Sequence, residues 1–206
     1  MGTSYETLLV AAAFDAVVDA VAATGPTAIV VPLAEERVAV LPRERIYVAE
    51  VEPLAVALSG QLRCPALTSV VFDSNVVFCD VYRDGEWVHG YVSRREMTAE
   101  WFEDVDGTFK LRFEGNVYPA DWSVPEGPQG DDPAAFVGFA VGPPDLDRIG
   151  AALRGDGPTD GKLWAEEQHR AIIEALGLPP GPCTVAYRHT EVGDLPGAVE
   201  VLAAPD

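Results

Sequence analysis

Glu166 and His169 stand three residues apart, which sets a carboxylate and an imidazole one turn apart on one helical face. Carboxylate-bridged di-metal bundles use two such pairs with two further glutamates. This chain has a single pair. His169 also lines up with Ala165, Ile172 and Leu176, at the edge of an apolar stripe, which favours a packed structural histidine. Asp80 is the second candidate. Alternation places Val76, Phe78, Asp80 and Tyr82 on one face of a strand. A carboxylate in such a row costs stability unless it is paired or exposed, and it can mark a site of shifted acidity. The next strand carries Trp87, His89 and Tyr91 in alternation. If those two faces coincide, Asp80, Tyr82, Trp87, His89 and Tyr91 form a polar-aromatic patch of the kind that lines ligand pockets and partner interfaces. With Glu166 or His169 added, the patch holds an acid and a base for proton transfer.

Carboxylates form the third group. Glu96, Glu100, Glu103, Asp104 and Asp106 crowd a short helix that Thr98 would cap and that runs through Trp101 and Phe102. A solvated acidic face is the ordinary reading, and a docking surface for a basic partner is the functional one. Asp104-Val105-Asp106-Gly107 lacks the further carboxylates of a calcium loop. The three histidines, His89, His169 and His189, are too scattered to suggest zinc, and no metal or other cofactor is implied. Cys64, Cys79 and Cys183 have no CxxC spacing and read as buried free thiols. No phosphate-binding glycine loop, nucleophile elbow, HExxH helix or kinase motif occurs.

The elements that must position these groups are legible from periodicity. Thr3 and Glu6 have capping-box spacing, and Val10, Phe14, Val17, Val18 and Val21 share a helical face, which predicts a helix from Ser4 to Ala23. Strands are predicted at Thr27 to Val31 and Arg37 to Leu41, followed by a helix from about Pro53 to Leu62. A meander follows at Leu67 to Phe72, Val76 to Tyr82 and Trp87 to Ser93, with Asp84-Gly85 as a tight hairpin turn. Thr108 to Phe113 is a further strand, and Pro119 to Pro133 is an ordered surface crossing in which Trp122 must pack. Asp132-Pro133 opens a short helix, Pro144 to Leu153 forms another, and Gly161 to Leu176 the last long one. Thr184 to His189 and Val199 to Leu202 read as strands.

The fold class is α+β, an antiparallel, partly meandering sheet with packed helices near both termini. One domain spans residues 1–206, and the 119–133 loop is the best place for any internal boundary. The 206 residues hold 33 Asp and Glu against 14 Lys and Arg, a formal net charge of -19. That charge repels nucleic acid and anionic membranes. No apolar run reaches the roughly 18 residues of a membrane span, and the absence of a basic leader points to the cytoplasm. The leading expectation is a non-catalytic interaction module that recognises a basic protein, an inhibitor or immunity-type role being one form. The alternative is a small-molecule-binding protein or acid-base enzyme around Asp80, His89 and the Glu166/His169 helix. Acidity as mere solubility or salt adaptation is a third.

Overall fold

The computed structural model describes residues 2–45, 49–156 and 163–203. Its main feature is a seven-stranded antiparallel sheet. The strands are β1 (Tyr5–Val10), β2 (Ala28–Ala34), β3 (Arg37–Pro42), β4 (Ala66–Phe72), β5 (Val76–Arg83), β6 (Glu86–Val92) and β10 (Val199–Val201), ordered β10-β2-β3-β1-β4-β5-β6. A separate three-stranded sheet joins β7 (Glu100–Glu103), β8 (Phe109–Phe113) and β9 (Asn116–Pro119) in that order. The α+β class and the antiparallel sheet are as the sequence implies.

Both faces of the large sheet are covered. Helices α1 (Phe14–Thr24) and α2 (Val51–Leu62) bury Val17, Val21, Leu54 and Leu58 against Leu8, Val10, Val30, Val38 and Val40. A 3-10 helix at Pro133–Phe139, α3 (Leu146–Arg154) and α4 (Ala165–Ala175) bury Phe136, Ile149, Leu153, Ile172 and Ile173 against Tyr5, Leu9, Leu67, Cys79 and Val81. The helices of the two chain halves therefore pack on opposite faces. Each fully buried aliphatic side chain contributes on the order of 1.5–3 kcal/mol.

The predicted helix from Ser4 is the largest correction. Tyr5–Val10 is the central strand, because Tyr5, Thr7 and Leu9 serve one core while Leu8 and Val10 serve the other. The Glu6 carboxylate does accept a backbone N–H, but from Ala49 across the fold rather than in a capping box. Burial raises the Glu6 pKa above the ordinary carboxylate value, with that N–H opposing. The acidic helix predicted after Thr98 is likewise replaced by a 3-10 turn at Arg95–Thr98 and strand β7. The strand predicted at Thr184 to His189 is a coil with a 3-10 turn at Tyr187–His189. Strand β9 had no counterpart in the sequence reading. The start predicted for the last helix, at Gly161, lies outside the described residues.

The turns follow their residue chemistry. Asp84 and Gly85 both take positive φ, 51° and 83°, as a two-residue hairpin requires. Asp132 caps the 3-10 helix by accepting from the Ala134 N–H at 2.9 Å. The 119–133 loop is ordered: Trp122 stacks on Tyr118 with ring centroids 3.8 Å apart. Its end is tied to β6 by reciprocal Val92 and Gln129 backbone hydrogen bonds of 3.0 and 2.9 Å. That pairing covers part of an edge strand that would otherwise be open. Gly130, at φ 74°, lies so close that an added Cβ would overlap the Gly90 carbonyl oxygen.

Replacing Gly130 by Ala should therefore destabilise the fold by about 3 kcal/mol. Gly127→Ala, at φ 97° with open space around the new Cβ, should cost only about 1 kcal/mol. Urea unfolding of the two variants checks this, and equal losses would rule out the close Gly130–Gly90 approach.

Candidate functional site

The sheet divides the polar-aromatic patch expected between β5 and β6. Asp80 pairs with Gly90 and Val81 with His89, so Asp80 and His89 point to opposite faces. A register shift between Val81 and Tyr82 brings Tyr82 opposite Trp87 and leaves Val88 as an extra residue on β6. The alternation of Trp87, His89 and Tyr91 is broken at that bulge. Trp87 turns to the Asp80 side, while His89 and Tyr91 stay on the other.

On the Asp80 side the carboxylate accepts the Trp87 indole N–H at 2.8 Å. The indole lies over Gly90, where a Cβ would meet it at 3.0 Å. Asp80 is thus a paired, partly exposed residue near an edge strand, and the Trp87 ring is 59% exposed. Tyr82 is buried beside them. Desolvation, then Asp80 and Glu52, push its phenol up to about 12, so it stays protonated at neutral pH.

The opposite face carries a buried polar layer. His169 Nδ1 and the Tyr5 hydroxyl are hydrogen bonded at 2.9 Å, with the rings stacked at 5.6 Å. Gln168 donates to the Tyr91 hydroxyl and to the Leu153 carbonyl, both at 2.9 Å, and Tyr91 donates to that carbonyl at 2.6 Å. His89 Nε2 and the Gly130 carbonyl are 2.7 Å apart, which places the proton on that nitrogen, and the ring meets Phe136 edge-on. Glu166 accepts from the Ser74 hydroxyl at 3.1 Å. Its other oxygen and His169 Nε2 are buried without a hydrogen-bond partner among the described residues.

Glu166 and His169 do share a helical face, as their spacing implies, and both turn toward the sheet. Burial holds His169 down to about 3, so it is neutral at pH 7. Burial, and then the Glu166 charge, hold the Tyr5 phenol well above its ordinary range. Burial likewise keeps Tyr91 protonated. Cys79 and Cys183 are pushed up to about 12 and Cys64 to about 11, chiefly by desolvation, so none is a thiolate nucleophile at neutral pH. All three are buried free thiols. A neutral histidine stacked on a neutral tyrosine inside a packed core helps organise that core.

The acidic cluster from Glu96 to Asp106 is mostly engaged within the chain. Glu96 accepts from Arg94 Nε at 2.9 Å and from the Gly127 N–H at 3.2 Å. Burial would raise its pKa, and those donors more than offset it, leaving it below the ordinary value. Glu100 pairs with Arg112 at 3.1 Å, and Asp104 with Lys110. Glu103 makes no ion pair among the described residues. Among those residues no three His, Cys, Asp or Glu side chains gather as a metal-binding group.

Two clefts stand out, and none of the residues singled out from the sequence lines either. One, of about 760 Å³, lies between the end of α1 and the start of α2 and includes Pro26, Arg43, Arg45 and Glu50. The other, of about 500 Å³, lies at the β8–β9 end of the small sheet and is lined by Phe109, Val117, Tyr118, Pro119 and Asp121. The sequence signal missed there was the apolar alternation of Phe109, Leu111 and Phe113 beside Tyr118 and Trp122.

The state of His169 can be tested by acid titration. Its pKa is depressed on folding, so its contribution is complete above pH 6.5 and is lost as the pH falls toward 3. In that window the unfolded chain takes a proton that the folded chain refuses, at about 1.4 kcal/mol per pH unit. His169→Gln should flatten the fall of unfolding free energy between pH 6 and 4 by roughly that slope. Parallel profiles for the two proteins would contradict a neutral buried imidazole.

Comparison with known protein families, with curated proteins and with solved structures gives no match.

Proposed function

We propose that this chain is a non-catalytic interaction module whose acidic surface recognises a basic partner protein. An inhibitor or immunity-type role against a basic toxin or nuclease is one concrete form of it. The observation that carries the reading is the excess of 33 Asp and Glu over 14 Lys and Arg, six of the latter already engaged within the chain. Arg94, Lys110, Arg112, Arg154 and Arg188 are each held by a carboxylate of this chain. Arg37 donates to the Phe139 and Ala140 carbonyls at 2.9 and 3.0 Å. With a net charge of -19, the field left at the surface is negative, which speeds encounter with a basic protein and repels polyanions.

The acid-base alternative draws no such support. Its two central residues, Asp80 and His89, lie on opposite faces of a covered sheet, and His169 is locked against Tyr5. No helix among the described residues is long and apolar enough to cross a membrane.

Affinity capture from host lysate at low ionic strength, followed by calorimetry with each purified basic candidate, tests the proposal. A one-to-one complex that weakens at least about tenfold between 50 and 300 mM salt is the expected result. Failure of any basic protein to form a stoichiometric complex at low salt would sink it.

A further inference from the structure

Resting on that reading, we propose that the aromatic face of the β7–β9 sheet is where the partner docks, and that it takes a segment rich in arginine or lysine. Trp101 and Phe109 are the aromatic platforms, with Glu103 and Asp121 as the free carboxylates beside them.

The register assembles this face. Trp101 lies opposite Leu111, Leu111 opposite Tyr118, and Glu103 opposite Phe109. Opposed residues of an antiparallel pair project to the same side. Leu111 and Phe113 are its buried floor, and Trp122 closes one side by packing on Phe113 and Tyr118, at 5.6 and 3.8 Å between ring centroids. Trp101 and Phe109 remain 59% and 60% exposed. Of the exposed large hydrophobic residues between Met97 and Val117, Trp101 and Phe109 belong to this face, whereas Val117, opposite Arg112, projects from the other. Exposed aromatic rings side by side are ordinary for a binding face.

Charge decides the occupant. Between positions 97 and 121 there are six carboxylates, Glu100, Glu103, Asp104, Asp106, Glu114 and Asp121, against Lys110 and Arg112, a balance of -4. Lys110 and Arg112 are already paired with Asp104 and Glu100. Glu103 stands directly across from Phe109, and Asp121 lines the cleft beside Phe109 and Tyr118. A guanidinium or ammonium laid on those rings gains cation–π attraction and a carboxylate together. The opposite face of the same sheet contains that geometry once, in Arg112, whose guanidinium carbon sits 5.0 Å from the Phe102 ring centre. A second copy of this chain would bring the same negative charges against one another, so self-association through the face is disfavoured.

The test uses the full chain labelled with 5-fluorotryptophan, whose four tryptophans report from different places: Trp87, Trp101, Trp122 and Trp164. Trp101→Phe assigns the central resonance. The probe is a short peptide alternating arginine and leucine, with its glutamate-leucine counterpart as control. Saturable shifts of Trp101 and Trp122, with Trp87 and Trp164 unmoved, are the expected result. Phe109→Ala should weaken binding by about tenfold. Because Glu103 and Asp121 are exposed, the double variant Glu103→Gln, Asp121→Asn provides a second loss-of-binding measurement that leaves the floor intact. Shifts of equal affinity at Trp87 or Trp164, with neither variant weakened, would overturn the site while leaving the acidic-module reading standing. No binding of the arginine peptide by any resonance or by calorimetry at about 20 mM salt would likewise overturn the site, the acidic-module reading being decided separately by capture of a basic protein.

Discussion

Burial of the central sheet on both of its faces is the constraint from which the rest of this molecule follows. Strand β1 has β3 on one side and β4 on the other, with apolar layers above and below. Any polar group placed on those strands must be satisfied within its own layer, since water reaches neither face freely. Tyr5, Thr7, Ser69 and Tyr91 meet that demand through His169, the Cys183 carbonyl, the Cys79 thiol and the Leu153 carbonyl. The buried polar residues on the α4 side therefore belong to the architecture. The same constraint keeps Asp80 and His89 apart, because a two-sided core is also a wall.

The regular strands were legible from the sequence because alternation and turn chemistry agree there. Strands β2 to β6, the Asp84-Gly85 hairpin and the Asp132 cap were all visible for that reason. Strand β1 was not, because a strand apolar on both faces loses its alternation and runs into the helical pattern that starts at Phe14. Strand β7 was hidden by composition: Glu100-Trp101-Phe102-Glu103 is short, acidic and largely exposed, and only pairing with β8 makes it a strand. For the candidate site, the residue types were recoverable and their sidedness was not. One extra residue at Val88 reverses which face Trp87 serves, and no propensity in the segment announces it.

The acidity also changes meaning once the pairing is known. Glu96, Glu100 and Asp104, which stood out as a crowd of charge, hold neighbouring cations and loop amides in place. Exposed ion pairs of this type contribute little to stability. Each pair cancels one positive and one negative charge together, so the excess of carboxylates over cations is unchanged by the pairing. A negative surface bearing exposed aromatic rings differs from one that is merely solubilising, since the rings add contact area that a charge-only surface lacks.

The link between Tyr5 and His169 joins residues 164 positions apart, and Arg188 reaches back to the Ser4 carbonyl over a similar span. The central strand thus cannot complete its environment until the last quarter of the chain has emerged from the ribosome. Until then Tyr5, Thr7 and Leu9 present an uncovered sheet face. Folding of this topology is governed by late closure of long loops, which makes it slow relative to a helical bundle of equal length. During synthesis the α4 side of the sheet is the surface that a chaperone would have to shield.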